Sequence, residues 1–197
     1  IMEKYISKKE KSLLRICGSR QLYGSRHNPI VPYVFFTDIL IIPSAFVMML
    51  MIVARVWDAL NDPMMGVIVD RTSTKYGKMR PYVLVGSFLM LFTTIVLFMP
   101  LTGAPTMFKM IFAAVSYIIF GMAYTLTDVP AMGLMSVATP NSDERASLLS
   151  FYVTVGSVGS LLPVGLLTIF QSFIPEKYVY FAMSIFVGII TSAAYLT

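Results

Sequence analysis

In the run Arg55-Val-Trp-Asp-Ala-Leu-Asn-Asp-Pro-Met-Met-Gly66, Arg55, Asp58, Asn61 and Asp62 stand at i, i+3, i+6 and i+7. On a helix that spacing puts all four on one face. The residues before them are apolar, and ionisable groups inside an apolar span are rare, expensive and turned toward a cavity or a partner. One arginine can neutralise one carboxylate, so a buried Arg55–Asp58 pair without a further role is one reading. The other is a hard oxygen-ligand set of two carboxylates and an amide, suited to Na⁺, Li⁺ or a proton. A second apolar run supplies Tyr124, Thr125 and Asp128 at i, i+1 and i+4. There a hydroxyl and a carboxylate can face the first set, and a phenol adds an aromatic surface. A polyhydroxylated substrate would use both. Thr125 can equally return its hydroxyl to its own backbone, and Tyr124 can be ordinary packing.

Composition decides what kind of scaffold carries these groups. With 57% hydrophobic and 13% charged residues and a mean hydropathy of +0.77, the chain is far more apolar than a soluble domain. Its apolar material comes in several blocks, which predicts a multi-pass membrane protein. Residues 83–99 are continuously apolar rather than alternating, so the spans are helices and not barrel strands. Cys17 is the single cysteine and His27 the single histidine. That excludes an internal disulfide framework, and no nucleophile or metal constellation of a membrane enzyme assembles. The net charge of +5 sits in the N-terminal tail and in loops beside apolar runs, the distribution of the positive-inside rule rather than of a nucleic-acid-binding face.

The positioning elements follow in order. Residues 1–12 read as a basic cytoplasmic tail, and residues 13–197 as a six-helix bundle. The first helix, residues 13–36, carries Arg15, Arg20 and Arg26, each costing about 2.5–3.5 kcal/mol at a span centre. The basic loop with Asp70, Arg71, Lys75, Gly77, Lys78, Arg80 and Pro81 belongs on the same side as the tail, so an even number of crossings separates them. That parity predicts a turn near Thr37-Asp38 and Pro43-Ser44. The second helix then covers 44–69, the third 81–99, the fourth 107–135 with Pro130 inside it, the fifth 146–173 and the sixth 178–197. Outer turns fall at 100–105 and 175–177, and an inner loop at 139–145 holds Asp143, Glu144 and Arg145. Gly156, Gly159 and Gly165 have the spacing of close helix contacts. The opening Ile1-Met2 and the apolar end at Thr197 lead us to expect part of a longer protein.

The 55–66 motif, followed by Asp70-Arg71, Gly77-Lys78 and Arg80-Pro81, resembles the signature of the glycoside-pentoside-hexuronide:cation symporters of the major facilitator superfamily. Tyr124-Thr-Leu-Thr-Asp128-Val-Pro130 and Asp143-Glu-Arg145 extend it, so the likeness covers roughly residues 35–160. It implies an all-α membrane protein, with six transmembrane helices forming the N-terminal half of a twelve-helix major facilitator fold and a missing C-terminal six-helix half as partner. By the same resemblance Asp58, Asn61, Asp62 and Thr125 match the family's cation site, with Asp58 and Asp62 holding Na⁺ if sodium is the coupling ion. Asp128 and Tyr124 match positions at the sugar. Arg55, Gly66, Asp70, Arg71, Gly77, Lys78, Arg80, Pro81 and Arg145 match structural or gating positions. Two departures bear on the substrate. Where the family has an acidic residue in its first helix, this chain has Arg20-Gln21-Leu22, and where it has an arginine early in the fifth, this chain has Val153.

Together these readings predict a multi-pass protein of the cell membrane with its N-terminus in the cytoplasm. It would carry a sugar or glycoside by symport with Na⁺, Li⁺ or H⁺, with no cofactor, no enzymatic activity and no nucleic-acid partner. The rivals are a channel or receptor with a buried charge network and a non-transporting fragment. A channel would give downhill flux without saturation.

Overall fold

In the computed structural model of the chain, residues 29–73, 75, 78–136, 140–159 and 162–196 are described. All regular structure among them is helical. The elements are α1 (Ile30–Val34) continuing into a π turn (Phe35–Ile39), α2 (Ser44–Arg71), α3 (Arg80–Leu97), α4 (Thr106–Ser136), α5 (Ser142–Gly159), α6 (Leu162–Gln171) and α7 (Glu176–Leu196).

Two of these, Ser44–Arg71 and the stretch Thr106–Gly133, are each 28 residues long and apolar enough to cross a membrane. At about 1.5 Å per residue each reaches about 42 Å, the thickness of a bilayer with its headgroups. Pro81–Leu97 and Ile30–Ile39 are shorter apolar helices. The surfaces agree with a lipid environment. On α2 alone, Met48, Met49, Ile52, Val53, Val56, Leu60, Met64 and Val67 stand exposed, a contiguous apolar face larger than water-soluble monomers tolerate.

The inward stripe of α2 is Val47, Leu50, Ala54, Asn61, Met65 and Val69, at the 3.6-residue period with one gap. Asp58 fills the gap, so a carboxylate stands where the pattern calls for an apolar residue. The stripe of α4 runs through Lys109, Ala113, Ser116, Phe120, Ala123, Thr127 and Ala131. α4 packs on α2 and on α3, while α3 also packs on α7, making α4 the central element of the described bundle. Its approach to α3 is close enough that a Cβ on Gly86 would collide with Thr127 Oγ1.

One end of the bundle is closed by aromatic rings. Phe35 packs edge-on against Phe98 at 5.2 Å between centroids and against Tyr180 at 5.4 Å, and Phe36 meets Tyr117 at 6.3 Å. The π turn makes this possible, because the widened turn lets the adjacent residues Phe35 and Phe36 both be fully enclosed. Beyond it, Leu40 N–H donates to Phe35 O at 3.1 Å and Ile42 N–H to Phe36 O at 3.0 Å. Ile41 between them has φ +57°, a left-handed conformation that a β-branched residue adopts at a cost of about 1–3 kcal/mol. It turns the chain toward Pro43 and the start of α2. The predicted break between the first two helices therefore lies at residues 40–43.

The opposite end is closed by polar tethers. Thr72 Oγ1 donates to Ile68 O at 2.8 Å and lies 2.6 Å from the Tyr82 hydroxyl. Lys78 Nζ donates to Asp70 O at 3.3 Å, the cation at a helix C-terminus that the macrodipole favours.

Several boundaries depart from the sequence expectation. Helix continues past Phe36 to Ile39, and the remainder of the predicted first helix, with the tail, lies outside the described residues. α5 begins at Ser142, so Asp143, Glu144 and Arg145 occupy its first turn rather than a loop. The reason is local: Asn141 Oδ1 accepts from Asp143 N–H at 3.0 Å, an N-cap, with acidic residues beside the positive end of the dipole. Glu176 and Lys177 likewise belong to α7, not to the turn before it, with Glu176 at the positive end of that helix's dipole. The helical stretch predicted to reach 173 ends at Gln171, and residues 160 and 161 lie outside the described residues. Gly165 has no neighbour within 4 Å of a would-be Cβ, so it mediates no close contact, and the surroundings of Gly156 and Gly159 lie outside what is described. Gly86 is a tight glycine, and Gly133 meets only the flexible end of Met79.

Overpacking at that contact predicts that Gly86→Ala lowers stability by about 1–3 kcal/mol. Combining it with Thr127→Ala, which removes the colliding hydroxyl, recovers part of the loss. The thermal midpoint of the detergent-solubilised protein reads both.

Candidate functional site

The polar face of α2 is a ramp of burial. With Arg55 taken as zero, about 100° per residue places Asp62 about 20° away, Asp58 about 60° and Asn61 about 120°, all on one side. Arg55 is exposed, Asp62 and Asp58 are half-buried and Asn61 is buried. The face thus runs from the open surface at Arg55 to the contact with α4 at Asn61.

α4 meets it with small and hydroxylic residues. Thr125, fully buried, donates its hydroxyl to Asp62 Oδ1 at 2.8 Å; its oxygen also lies 3.2 Å from Gly121 O. Both alternatives read from sequence are thus within reach of one hydroxyl, with the charge-assisted bond the shorter and stronger. One turn away, a Cβ built on Gly121 would lie 3.3 Å from Asp58 Oδ1. The missing side chain lets that carboxylate lie against α4. Asn61 Nδ2 is buried and has no hydrogen-bond partner, the kind of orphan that folded proteins seldom leave.

A small pocket opens on Asp58, lined by Ala54, Trp57, Tyr117, Ile118, Phe120, Gly121 and Tyr124. Its volume of ≈ 20 Å³ admits one water-sized occupant. Tyr124 is thereby brought to Asp58. Asp128 lies one turn further along α4, half-buried. Among the described residues no group of three or more His, Cys, Asp or Glu side chains gathers. The acidic pair is instead accompanied by hydroxyl and amide groups.

The residues of the basic loop fall elsewhere. Asp70 and Arg71 are exposed at the end of α2, Pro81 occupies the first turn of α3, and Gly66 touches nothing within 4 Å. Arg145 N–H donates to Asn141 O at 3.1 Å. Gly77 and the side chain of Arg80 lie outside what is described. Sequence reasoning passed over Gly121 and Tyr117. The stripe Tyr117, Gly121, Tyr124 and Asp128, spaced by 4, 3 and 4, was the signal that would have found both.

Two half-buried carboxylates on one long apolar helix thus meet a threonine and a glycine from another. Residues 27–197 match the family described as MFS/sugar transport protein, and the chain belongs to that family. It is 38% identical over 128 residues to the inner membrane symporter YicJ of Escherichia coli (strain K12), covering 65% of this chain and 28% of that protein. It is 34% identical over 133 residues to the putative glycoside/cation symporter YagG of the same organism, covering 67% of this chain and 28% of that protein. The isoprimeverose transporter of Lactiplantibacillus pentosus is 33% identical over 129 residues, covering 65% of this chain and 26% of that protein. The matched segments thus span little more than a quarter of these relatives.

Removing the threonine hydroxyl strips Asp62 of a donor. Thr125→Val is expected to lower stability by about 1–3 kcal/mol, whereas Thr125→Ser stays close to the parent; thermal unfolding of the purified protein distinguishes the two.

Proposed function

We propose that the chain forms the N-terminal six-helix half, residues 13–197 after a cytoplasmic tail of 1–12, of a twelve-helix symporter in the cell membrane. It drives a sugar or glycoside across the bilayer with Na⁺, Li⁺ or H⁺. It is a carrier and not an enzyme, and needs no cofactor. The observation that carries this reading is the bond from Thr125 on α4 to Asp62 on α2, with Asp58 beside Gly121 and the orphaned Asn61 amide alongside.

The coupling cation is a co-substrate, and the groups present suit it. Two carboxylates in one short stretch repel, and a cation between them removes that repulsion. Turning the Asn61 amide over would exchange its unpartnered N–H for an oxygen ligand. A Thr125 oxygen that ligates a cation must send its hydrogen elsewhere, and Gly121 O at 3.2 Å is placed to accept it. Pro63, next to Asp62, withholds the N–H that would otherwise bond Ala59 O, and Pro130 does the same for Leu126 O. Both spans therefore have loosened backbone at the depth of the site, as carriers commonly do.

Sugar binds at Asp128 and Tyr124, where a carboxylate accepts paired hydroxyls and a ring covers C–H surface. A cation that fixes α2 on α4 improves the sugar site, and by linkage the sugar improves cation binding by the same factor. The halves then rock about the site, with the basic loop of Asp70, Arg71, Gly77, Lys78, Arg80 and Pro81 bracing the cytoplasmic face. The names of the relatives support the sugar and the symport. The lipid-facing role of α2 is supported by its exposed apolar face.

Measuring cation-driven sugar accumulation in membrane vesicles decides the matter. Asp58→Cys and Asp62→Cys are each expected to lower accumulation by about 10²-fold or more, the scale of losing a charged ligand. Intact accumulation in both variants would refute the cation site.

A further inference from the structure

Lys109 belongs to the buried stripe of α4 and is 8% exposed, although nothing in the proposed transport cycle uses it. Its ammonium donates to Leu40 O at 3.1 Å, a carbonyl 69 residues away in sequence. That carbonyl belongs to the residue whose N–H closes the π turn on Phe35 O. It also belongs to the peptide plane joining Leu40 to Ile41, and rotation of that plane is what sets φ of Ile41. Ile41 holds φ +57° while its side chain is 74% exposed, so its own packing does not impose the conformation. The main-chain bonds of Leu40 and Ile42 and the Lys109 ammonium are what hold it.

The same π turn carries Phe36, which packs on Tyr117, and Tyr117 lines the pocket at Asp58. Lys109 and Tyr117 are two turns apart on α4, about 12 Å along its axis. The end of α1 is thus tied to α4 at two points, one a charge-assisted hydrogen bond and one aromatic, and the second is a wall of the pocket.

We propose that Lys109 is a positioning residue: its bond to Leu40 O latches the α1–α2 turn in its left-handed form and, through Phe36 and Tyr117, sets the wall of the Asp58 pocket. The latch stands on geometry alone, and its effect on the cation rests on the function proposed above. The element it controls has two discrete states, the left-handed turn and its relaxed form with negative φ at Ile41, which is what energetic coupling requires.

The test uses Lys109→Met, Lys109→Arg and Lys109→Met combined with Ile41→Gly in the full chain, reconstituted in liposomes. Glycine takes positive φ without steric penalty, so it removes the need for the latch. Hydrogen exchange at the Ile42 amide, measured without cation or sugar, is expected to speed up by about tenfold in Lys109→Met. It returns toward the parent in Lys109→Arg and in the double variant. The cation concentration for half-maximal sugar uptake is expected to rise about fivefold in Lys109→Met, with the maximal rate held within about twofold, and to recover in the other two.

Unchanged exchange at Ile42, failure of Ile41→Gly to restore it, or an unchanged half-maximal cation concentration would each overturn the proposal. Should Lys109→Met not accumulate, accumulation of the double variant supports the latch and its absence overturns it. A parent protein without cation-dependent uptake defeats the proposed function instead, and the exchange measurement still decides the latch.

Discussion

Everything in this bundle depends on keeping two carboxylates inside a membrane-spanning helix. Asp58 interrupts the inward apolar stripe of α2, and Asp62 lies beside it at the edge of the same contact. Left in hydrocarbon each would cost several kcal/mol, on the order of 2.5–3.5 by insertion scales. Part of the offset comes from α4, through the Thr125 hydroxyl on Asp62, and the absent side chain of Gly121 gives Asp58 room against that helix. Both devices work only if the two helices lie close together, and both are made of small residues. The spacing that lets the carboxylates be buried is thus the spacing that the proposed cation site between α2 and α4 relies on.

That requirement makes α4 answerable to three neighbours at once. Thr125 points to α2, while Thr127, two residues on, meets Gly86 of α3 from another face of the helix, and Lys109 reaches the end of α1. A shift of α4 that improved any one contact would strain the others. Close-packed interfaces of this kind respond by switching between arrangements rather than by deforming smoothly.

The long helices were legible in the sequence, because apolar runs punctuated by Pro100, Pro105 and Pro175 leave little choice of helix position. Charge parity asked for a break before α2, met at Pro43, but its other marker, Thr37-Asp38, lies inside the π turn. The polar face was legible too, since i, i+3, i+6 and i+7 spacing is a local property. What stayed hidden was set by tertiary neighbours. Gly86 and Gly165 look alike in sequence, yet one meets Thr127 and the other meets nothing. Lys109 looks like a lysine capping a span at the interface, and only the fold brings it to Leu40. The π turn and the left-handed Ile41 were unreadable for a stronger reason. Local preference runs against them, and only the enclosure of Phe35 and Phe36 and the bonds around Leu40 compensate.

The two ends of the described bundle are closed by different chemistry, and this constrains how it can move. At the end of Phe35, Phe98 and Tyr180 the rings are almost entirely buried, so parting them would expose apolar surface at about 25 cal/mol per Å² to any water that entered. At the other end Thr72, Tyr82 and Lys78 use exposed or half-buried hydrogen bonds, which water can replace at a small net cost. Motion that leaves the aromatic end intact and works at the polar end is the cheaper course. The described helices would then pivot about their ring-packed end, where the strained Leu40–Ile41 peptide is held by the main-chain bonds of Leu40 and Ile42 and by the Lys109 ammonium.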